Sequence, residues 1–193
     1  MNVINITRYR DGETFITSGG IGAFAHEYGH FLDYYLGRHY DRSNNVGALS
    51  GGSMIHSKPI ESQMYFGIMR AAAEEIIQIA NWKDPKAENI YKEESEFIKR
   101  IKSFNEMPYY RLRDEIFARL FEQYISHKLQ KINIYNRFLC ETKYTPKIYM
   151  NSKELTKVIP LFDKIIEQLR KLQQSPIATA LKAMLLLAWL SYL

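Results

Sequence analysis

The spacing of apolar residues along the 193-residue chain predicts a mostly helical protein with a small β element near its N-terminus. Two β-rich runs, at 3–7 and 14–17, flank Asp11-Gly12, a dipeptide typical of tight turns, and together they predict a β-hairpin. Apolar residues then recur with helical spacing. They predict helices at about 23–36, 61–81, 86–104, 112–130 and 153–174. Gly37 directly follows the first of these patterns and is typical of a helix C-cap.

The length of the chain favours one domain, which we place at residues 1–175. Residues 183–193 are apolar except for Ser191, and this run is shorter than the roughly 20 residues that cross a bilayer. We therefore expect residues 176–193 to form an apolar C-terminal tail, a helix packed on the domain. The alternative is a contact of this tail with a membrane or a partner.

The charge of the chain is modest and spread over several predicted helices. Its 26 basic and 21 acidic residues give a formal net charge of +5. Because no basic cluster is interleaved with aromatic residues, we expect no nucleic-acid partner. Cys140 is the only cysteine, so no intramolecular disulfide can form. This favours a reducing cytoplasmic location, and the N-terminal residues do not have the pattern of a signal peptide.

The segment His26-Glu27-Tyr28-Gly29-His30 is an HExxH motif within the first predicted helix. Residues four apart share a helix face, so both imidazoles can bind one Zn²⁺ through nitrogen. Glu27 lies beside them, where its carboxylate can take a proton from a zinc-bound water that attacks a carbonyl. The alternative is a helix with two ordinary histidines. The apolar pattern around the motif argues against it, because a buried helix seldom carries such groups without a use.

Asp33 lies three residues after His30 and seven after His26, near the same helix face. We expect its carboxylate to accept a hydrogen bond from a ligand imidazole and so to orient that ring. The alternative is a surface charge near the helix end. The polar, glycine-rich segment 41–54 follows this helix, and its composition predicts a mobile loop that borders the cleft.

A catalytic zinc site needs a third protein ligand. One class of zinc peptidases supplies a histidine six residues after the motif, but that position here is Leu36. The remaining histidines stand in loop or distant-helix contexts: His39, His56 and His127. Another class uses a glutamate from a later helix, and Glu115, Arg119 and Glu122 form a polar stripe on such a helix. Periodicity alone leaves open whether this stripe faces a metal or the solvent.

Two segments, in this order, resemble the large polyvalent protein-associated domain 1 family, metallopeptidase-like domains of phage and mobile-element polyproteins. The first runs from Gly22 to Gly37, preceded by residues 3–7, and the second runs from Tyr109 to Glu122. Residues 159–163 resemble the closing segment of that family, and the similarity covers roughly residues 2–170. The HExGHxxD pattern with a later glutamate is also similar, more distantly, to the catalytic domain of anthrax lethal factor.

The resemblance implies an α+β, mostly α, zincin-like metallopeptidase fold with a small N-terminal β element. It also implies one bound Zn²⁺ and the hydrolysis of peptide bonds. By motif position it assigns His26, His30 and Glu115 as metal ligands and Glu27 as the catalytic base.

Three further residues are candidates because they lie close to Glu115 along the chain. Tyr109 and Tyr110 precede it by six and five residues, and a phenol near the zinc can stabilise an oxyanion. We assign this catalytic role to Tyr110, with aromatic packing as the alternative. Arg119 lies one helical turn after Glu115, where it can neutralise or orient that carboxylate.

The sequence therefore predicts a zinc metallopeptidase of the HExxH, gluzincin-like type, acting on a peptide or protein substrate without clear membrane contact. A cytoplasmic, phage- or mobile-element-encoded protein is the expected setting. The alternative is a catalytically idle, zinc-binding accessory domain of a phage or mobile-element polyprotein. Glu27 favours the enzyme, because a purely structural zinc site has no use for a base.

Overall fold

The computed structural model describes residues 6–8, 14–16, 23–39, 47–53, 67–87, 92–104, 108–141 and 143–173. Within these residues it contains two strands, β1 (Ile6–Arg8) and β2 (Thr14–Ile16), and a short 3-10 helix at Pro108–Arg111. The α-helices are α1 (Phe24–His39), α2 (Ile68–Asn81), α3 (Glu96–Phe104), α4 (Arg113–Lys131) and α5 (Ser152–Gln173). The predicted C-terminal tail, 176–193, lies outside the described residues, as do His56 and the Asp11-Gly12 turn.

The described part of the chain is a helical assembly, so the predicted α+β, zincin-like fold class is wrong. Strands β1 and β2 pair with each other in antiparallel register, Ile6 opposite Ile16, and each has three residues. A ribbon of this size cannot form a layer on which helices pack. The buried apolar cluster consists instead of side chains from the helices, from the segment after α1 and from Met150, just before α5.

Helix α4 is the centre of this assembly. It packs against α1, and it also contacts α2 and α5, which pack against each other. The apolar side chains at these interfaces are almost completely buried: Leu32, Leu36, Ile76, Ile77, Ile116, Phe117, Leu120 and Phe162. Each side chain of this size stabilises the fold by about 1.5–3 kcal/mol when it is removed from water. Because α4 has neighbours on most of its sides, its charged residues between Arg113 and Glu122 are buried as well.

Helix α3 is shorter than the helix predicted over 86–104, because it begins at Glu96. The hydroxyl of Ser95 accepts a hydrogen bond of 3.1 Å from the backbone N–H of Ile98, which is the contact of a helix N-cap. Just before this cap, Glu94 pairs with Trp82 in an isolated antiparallel bridge, so this part of the predicted helix is not helical. The apolar spacing that predicted a helix from residue 86 therefore begins well before α3 does.

Gly37 lies inside α1 and is not its C-cap, because the helix continues to His39. A Cβ atom at this position would lie 2.5 Å from the Cα and carbonyl carbon of Ala48. The backbone of the segment after the helix crosses α1 at this point, and it leaves no room for a side chain. The C-cap interpretation was wrong because the close crossing of Ala48, and not the end of the helix, requires a glycine at this position.

Gly37→Ala is expected to lower the free energy of unfolding by about 2 kcal/mol, within the range for overpacked cores. The loss outweighs the better helix propensity of alanine, because the neighbouring atoms belong to the backbone of Ala48 and cannot rotate away. Urea denaturation of the metal-free protein measures this difference. Glu75→Ala, at an exposed position of α2, is the control and should stay within about 0.5 kcal/mol. Equal stability of wild type and Gly37→Ala would contradict the close crossing.

Residues 47–53, the described part of the predicted loop 41–54, are hydrogen-bonded to two buried arginines. Arg70 donates a hydrogen bond of 2.9 Å to the carbonyl oxygen of Ala48, and Arg113 donates to that of Ser50. Both guanidinium groups are almost fully buried. The composition predicted a loop here, and the described residues are indeed neither helix nor strand. Arg70 on α2 and Arg113 on α4 donate the hydrogen bonds that the buried backbone carbonyls of this loop need.

In the part of the chain that the structure describes, no helix has both the length and the apolarity needed to cross a membrane.

Candidate metal centre

Helices α1 and α4 bring two imidazoles and one carboxylate together. His30 Nε2 lies 3.2 Å from Glu115 Oε1, and His26 Nε2 lies 3.6 Å from Glu115 Oε2. One ligand atom from each of the three residues lies within 4.8 Å of the other two. Nitrogen and carboxylate donors at this separation can bind one ion together, so the three residues form a candidate metal site.

The close contact between α1 and α4 depends on Gly29, which lies between the two histidines on α1. A Cβ atom there would lie 3.0 Å from the Cα of Ala118 and 3.3 Å from the Cβ of Phe121. Small residues at the crossing let the two backbones approach, and Glu115 lies one turn before Ala118 on α4. Gly29 therefore lets α1 approach the backbone of α4 at Ala118, and this approach brings both histidines within reach of Glu115.

The polar stripe of α4 is buried, which answers the question that periodicity left open. Glu115, Arg119 and Glu122 are 6%, 2% and 3% exposed. Arg119 Nη1 lies 3.8 Å from Glu115 Oε2, so the arginine balances the charge of that carboxylate from one turn away. The stripe is therefore not the solvated face of the helix.

The pKa values at the site leave His26 and Glu115 in forms that can bind a metal, whereas His30 holds its proton more strongly than a free imidazole does. Burial lowers the pKa of His26 to about 4, although the charge of Glu115 opposes this effect, so the ring is neutral at pH 7. Burial also lowers the pKa of His30, but the hydrogen bond and charge of Glu115 outweigh it, and the pKa is raised. Burial raises the pKa of Glu115, yet hydrogen bonds from His30 and Tyr109 leave it lowered. At a pH below the raised pKa of His30, a metal ion that binds this ring would therefore displace its proton.

Glu27 is partly buried on α1, next to His26. Burial lowers the pKa of His30 and raises that of Tyr109, and Glu115 raises both. The charge of Glu27 adds a smaller upward effect on each of these pKa values. The charge of Glu27 therefore acts on two groups of the candidate site, and its role as a base stays a prediction.

Tyr109, and not Tyr110, is the tyrosine next to the candidate ligands. Burial and a hydrogen bond from its hydroxyl to Glu115 raise the pKa of Tyr109 well above its usual range. The ring of Tyr110 packs on the hydrophobic core, and the guanidinium of Arg119 lies 5.3 Å from its centroid. The assignment of Tyr110 to the site is corrected accordingly. Consecutive residues of a 3-10 helix point in directions about 120° apart, so only one of the pair can face the ligands.

Asp33 is fully buried, and it is bonded to the segment after α1 instead of to an imidazole. Its two carboxylate oxygens accept hydrogen bonds from the backbone N–H and the hydroxyl of Ser50, each 2.6 Å long. Burial raises the pKa of Asp33 to about 6, and both hydrogen bonds oppose this shift. Asp114 accepts a hydrogen bond of 2.7 Å from Ser53 in the same segment. Residues 47–53 therefore lie beside the candidate metal site, where Asp33 and Asp114 hold them.

Glu122 has a place at the site that sequence reasoning missed. Its Oε2 lies 3.8 Å from Nδ1 of His26 and accepts a hydrogen bond of 3.0 Å from the hydroxyl of Tyr149. The seven-residue spacing between Glu115 and Glu122 was a usable signal, because residues seven apart share a helix face.

A family model described as large polyvalent protein-associated domain 1 matches residues 101–173 of the chain. The matched residues include α4 and α5, and therefore Glu115, Arg119 and Glu122. They do not include the HExxH motif on α1, so the resemblance around His26 and His30 is not part of this match. Neither the curated proteins nor the solved structures contain a match to the sequence.

Proposed function

We propose that this protein is a zinc-dependent metallopeptidase that hydrolyses peptide bonds in a peptide or protein substrate. The observation that supports this proposal is the meeting of His26, His30 and Glu115, whose ligand atoms lie within 4.8 Å of one another. Two imidazoles and one carboxylate are the donor set of catalytic zinc sites that keep a fourth position open. The neutral ring of His26 and the ionised carboxylate of Glu115 suit this role.

A zinc ion at these residues would supply a Lewis acid that polarises the scissile carbonyl and lowers the pKa of a nearby water. Glu27 accepts a proton from the attacking water and then delivers it to the leaving amine. The hydroxyl of Tyr109, which already faces Glu115, donates a hydrogen bond to the oxyanion that develops on the substrate carbonyl. Arg119 lies 3.8 Å from Glu115 and balances its charge.

The match to the large polyvalent protein-associated domain 1 model supports a more specific setting for this activity. We propose that the domain acts within, or is released from, a large polyvalent protein of a phage or mobile element. A catalytically idle, zinc-binding accessory domain of such a protein is the second candidate. The same match favours it, because the matched residues include Glu115 but not Glu27.

Zinc-loaded wild-type protein is expected to generate new peptide termini in a broad peptide library, detected by mass spectrometry. A chelator should abolish the cleavage, and added zinc should restore it, because the reaction needs the bound ion. His30→Ala should be inactive, whereas His39→Ala, an exposed histidine on the same helix, should cleave like the wild type. If zinc-loaded wild type produces no new termini, the enzymatic proposal fails and the accessory-domain candidate remains.

A further inference from the structure

We infer that Glu122 is the positioning residue of the metal centre and that it makes Nε2, not Nδ1, the ligand atom of His26. The inference rests on the proposed zinc site and adds a residue that neither the motif nor the family match assigns to it. It starts from the position of His26 between two buried carboxylates. Nε2 lies 3.6 Å from Glu115 Oε2, and Nδ1 lies 3.8 Å from Glu122 Oε2.

A neutral imidazole has one N–H group and one nitrogen with a free lone pair, and only the second can bind a metal. Without an ion, the carboxylates of Glu115 and Glu122 compete for the N–H of His26. Once Glu115 binds a metal, Glu122 is the acceptor next to the ring. The proton then resides on Nδ1, and the lone pair of Nε2 points to the ion and to Glu115.

Glu122 is rigidly held for this role. Its side chain is 3% exposed, and the hydroxyl of Tyr149 donates a hydrogen bond of 3.0 Å to Oε2. The backbone N–H of Glu141 donates another hydrogen bond to the carboxylate. A buried carboxylate costs stability unless hydrogen bonds and a cationic or N–H partner compensate. The Nδ1–H of His26 is the partner on the side of Glu122 that faces the site.

Asp33, the residue that the sequence suggested for orienting an imidazole, already has both oxygens bonded to Ser50. Glu122 takes over the role because α4 crosses α1 beside His26. The 3.8 Å distance between Nδ1 of His26 and Oε2 of Glu122 is roughly 0.6–1.1 Å longer than an N–H···O hydrogen bond. Such contacts are often long before a ligand binds, and they shorten in the loaded site.

The first test is the zinc dissociation constant of Glu122→Gln, measured by competition with a chromophoric chelator. The substitution keeps the shape of the side chain and removes its charge. We expect zinc binding to weaken about 10–100-fold, as is typical when the partner of a ligand histidine is lost. Glu141→Gln is the matched control, because it removes an exposed negative charge close to Glu122, and its zinc affinity should stay within about twofold of the wild type.

The second test separates positioning from a purely structural role. In zinc-loaded protein with ¹⁵N-labelled histidine, the Nδ1 proton of His26 should give a downfield, slowly exchanging NMR signal. In Glu122→Gln this signal should move upfield and exchange faster, while the signals of His30 stay unchanged. Tyr149→Phe removes the hydroxyl that holds Glu122 and should shift the same signal by a smaller amount. It also keeps the inference testable if Glu122→Gln does not fold.

The possible outcomes are distinguishable. If the variants bind zinc like the wild type and leave the His26 signal unchanged, the role of Glu122 is overturned and the zinc site stands. If the metal is found on Nδ1 of His26, the inference is also overturned. If the wild type binds no zinc at all, the proposed function fails first, and this inference fails with it.

Discussion

Glu27→Gln is expected to retain bound zinc and the wild-type fold while peptide hydrolysis falls about 10²–10⁴-fold, the usual contribution of a general base. A glutamine amide can hydrogen-bond a water molecule, but it cannot accept a proton from it. Glu27 is not one of the three residues whose ligand atoms converge, so its replacement leaves the donor set complete. Its charge nevertheless acts on His30 and Tyr109, which places it close enough to influence the reacting groups.

The measurement is kcat/KM for a peptide identified in the library, together with the zinc content of the same preparation. Glu75→Gln, at an exposed position of α2, controls for the loss of one negative charge and should have wild-type activity. A fully active Glu27→Gln protein would remove Glu27 from the mechanism. An inactive variant that has also lost its zinc would instead make Glu27 part of the metal site.

Glu115→Ala is expected to weaken zinc binding more than roughly 100-fold. That factor is the upper end of the loss seen when a residue that only hydrogen-bonds a metal ligand is removed. Glu115 is the carboxylate that faces both imidazoles, with one oxygen 3.2 Å from His30 and the other 3.6 Å from His26. Its loss removes one of three donors and also leaves Arg119 buried beside a gap. Glu115→Gln, which fills the same volume, separates the loss of the donor from the loss of packing.

Asp33→Asn is the comparison for this prediction, and calorimetric zinc titration of both variants is the measurement. Asp33 binds Ser50 through both oxygens, and an asparagine can accept only one of these hydrogen bonds. We therefore expect Asp33→Asn to reduce the free energy of unfolding and to change zinc affinity less than Glu115→Ala does. An empty site in Asp33→Asn together with a full site in Glu115→Ala would reverse the ligand assignment.

The parts of the site that depend on one helix could be predicted from the sequence. His26 and His30 share a face of α1 because a four-residue spacing fixes their relative direction in any α-helix. Periodicity could not decide whether Glu115 faced a metal or water, because that depends on α1 packing against α4. The resemblance selected Glu115, and the structure brings it next to both histidines.

The parts that depend on contacts between elements could not be predicted in the same way. Asp33 has the spacing of a residue that orients a ligand, yet the segment around Ser50, which crosses α1, takes both of its oxygens. Tyr109 and Tyr110 lie in a 3-10 helix, and no apolar pattern in the sequence shows which of the two side chains faces the candidate ligands. Glu122 reaches His26 only because two helices cross beside it.

The fold class was wrong for a different reason. It was transferred from the resemblance around the HExxH motif, but a motif on one helix determines local geometry and not the layers around it. The core is built mainly from helices, with α4 at its centre, and the described β structure is the ribbon of β1 and β2. The chemistry of the site and the architecture that supports it are therefore separate inferences.

The most direct test of the central claim is the zinc content of the wild-type protein, measured by elemental analysis after refolding with zinc and desalting. The expected result is about one zinc per chain, as three protein ligands and an open position require. The paired variant His26→Ala with His30→Ala should retain only background metal, and His39→Ala should retain the wild-type amount. A wild-type protein that is folded but holds no zinc would contradict the account.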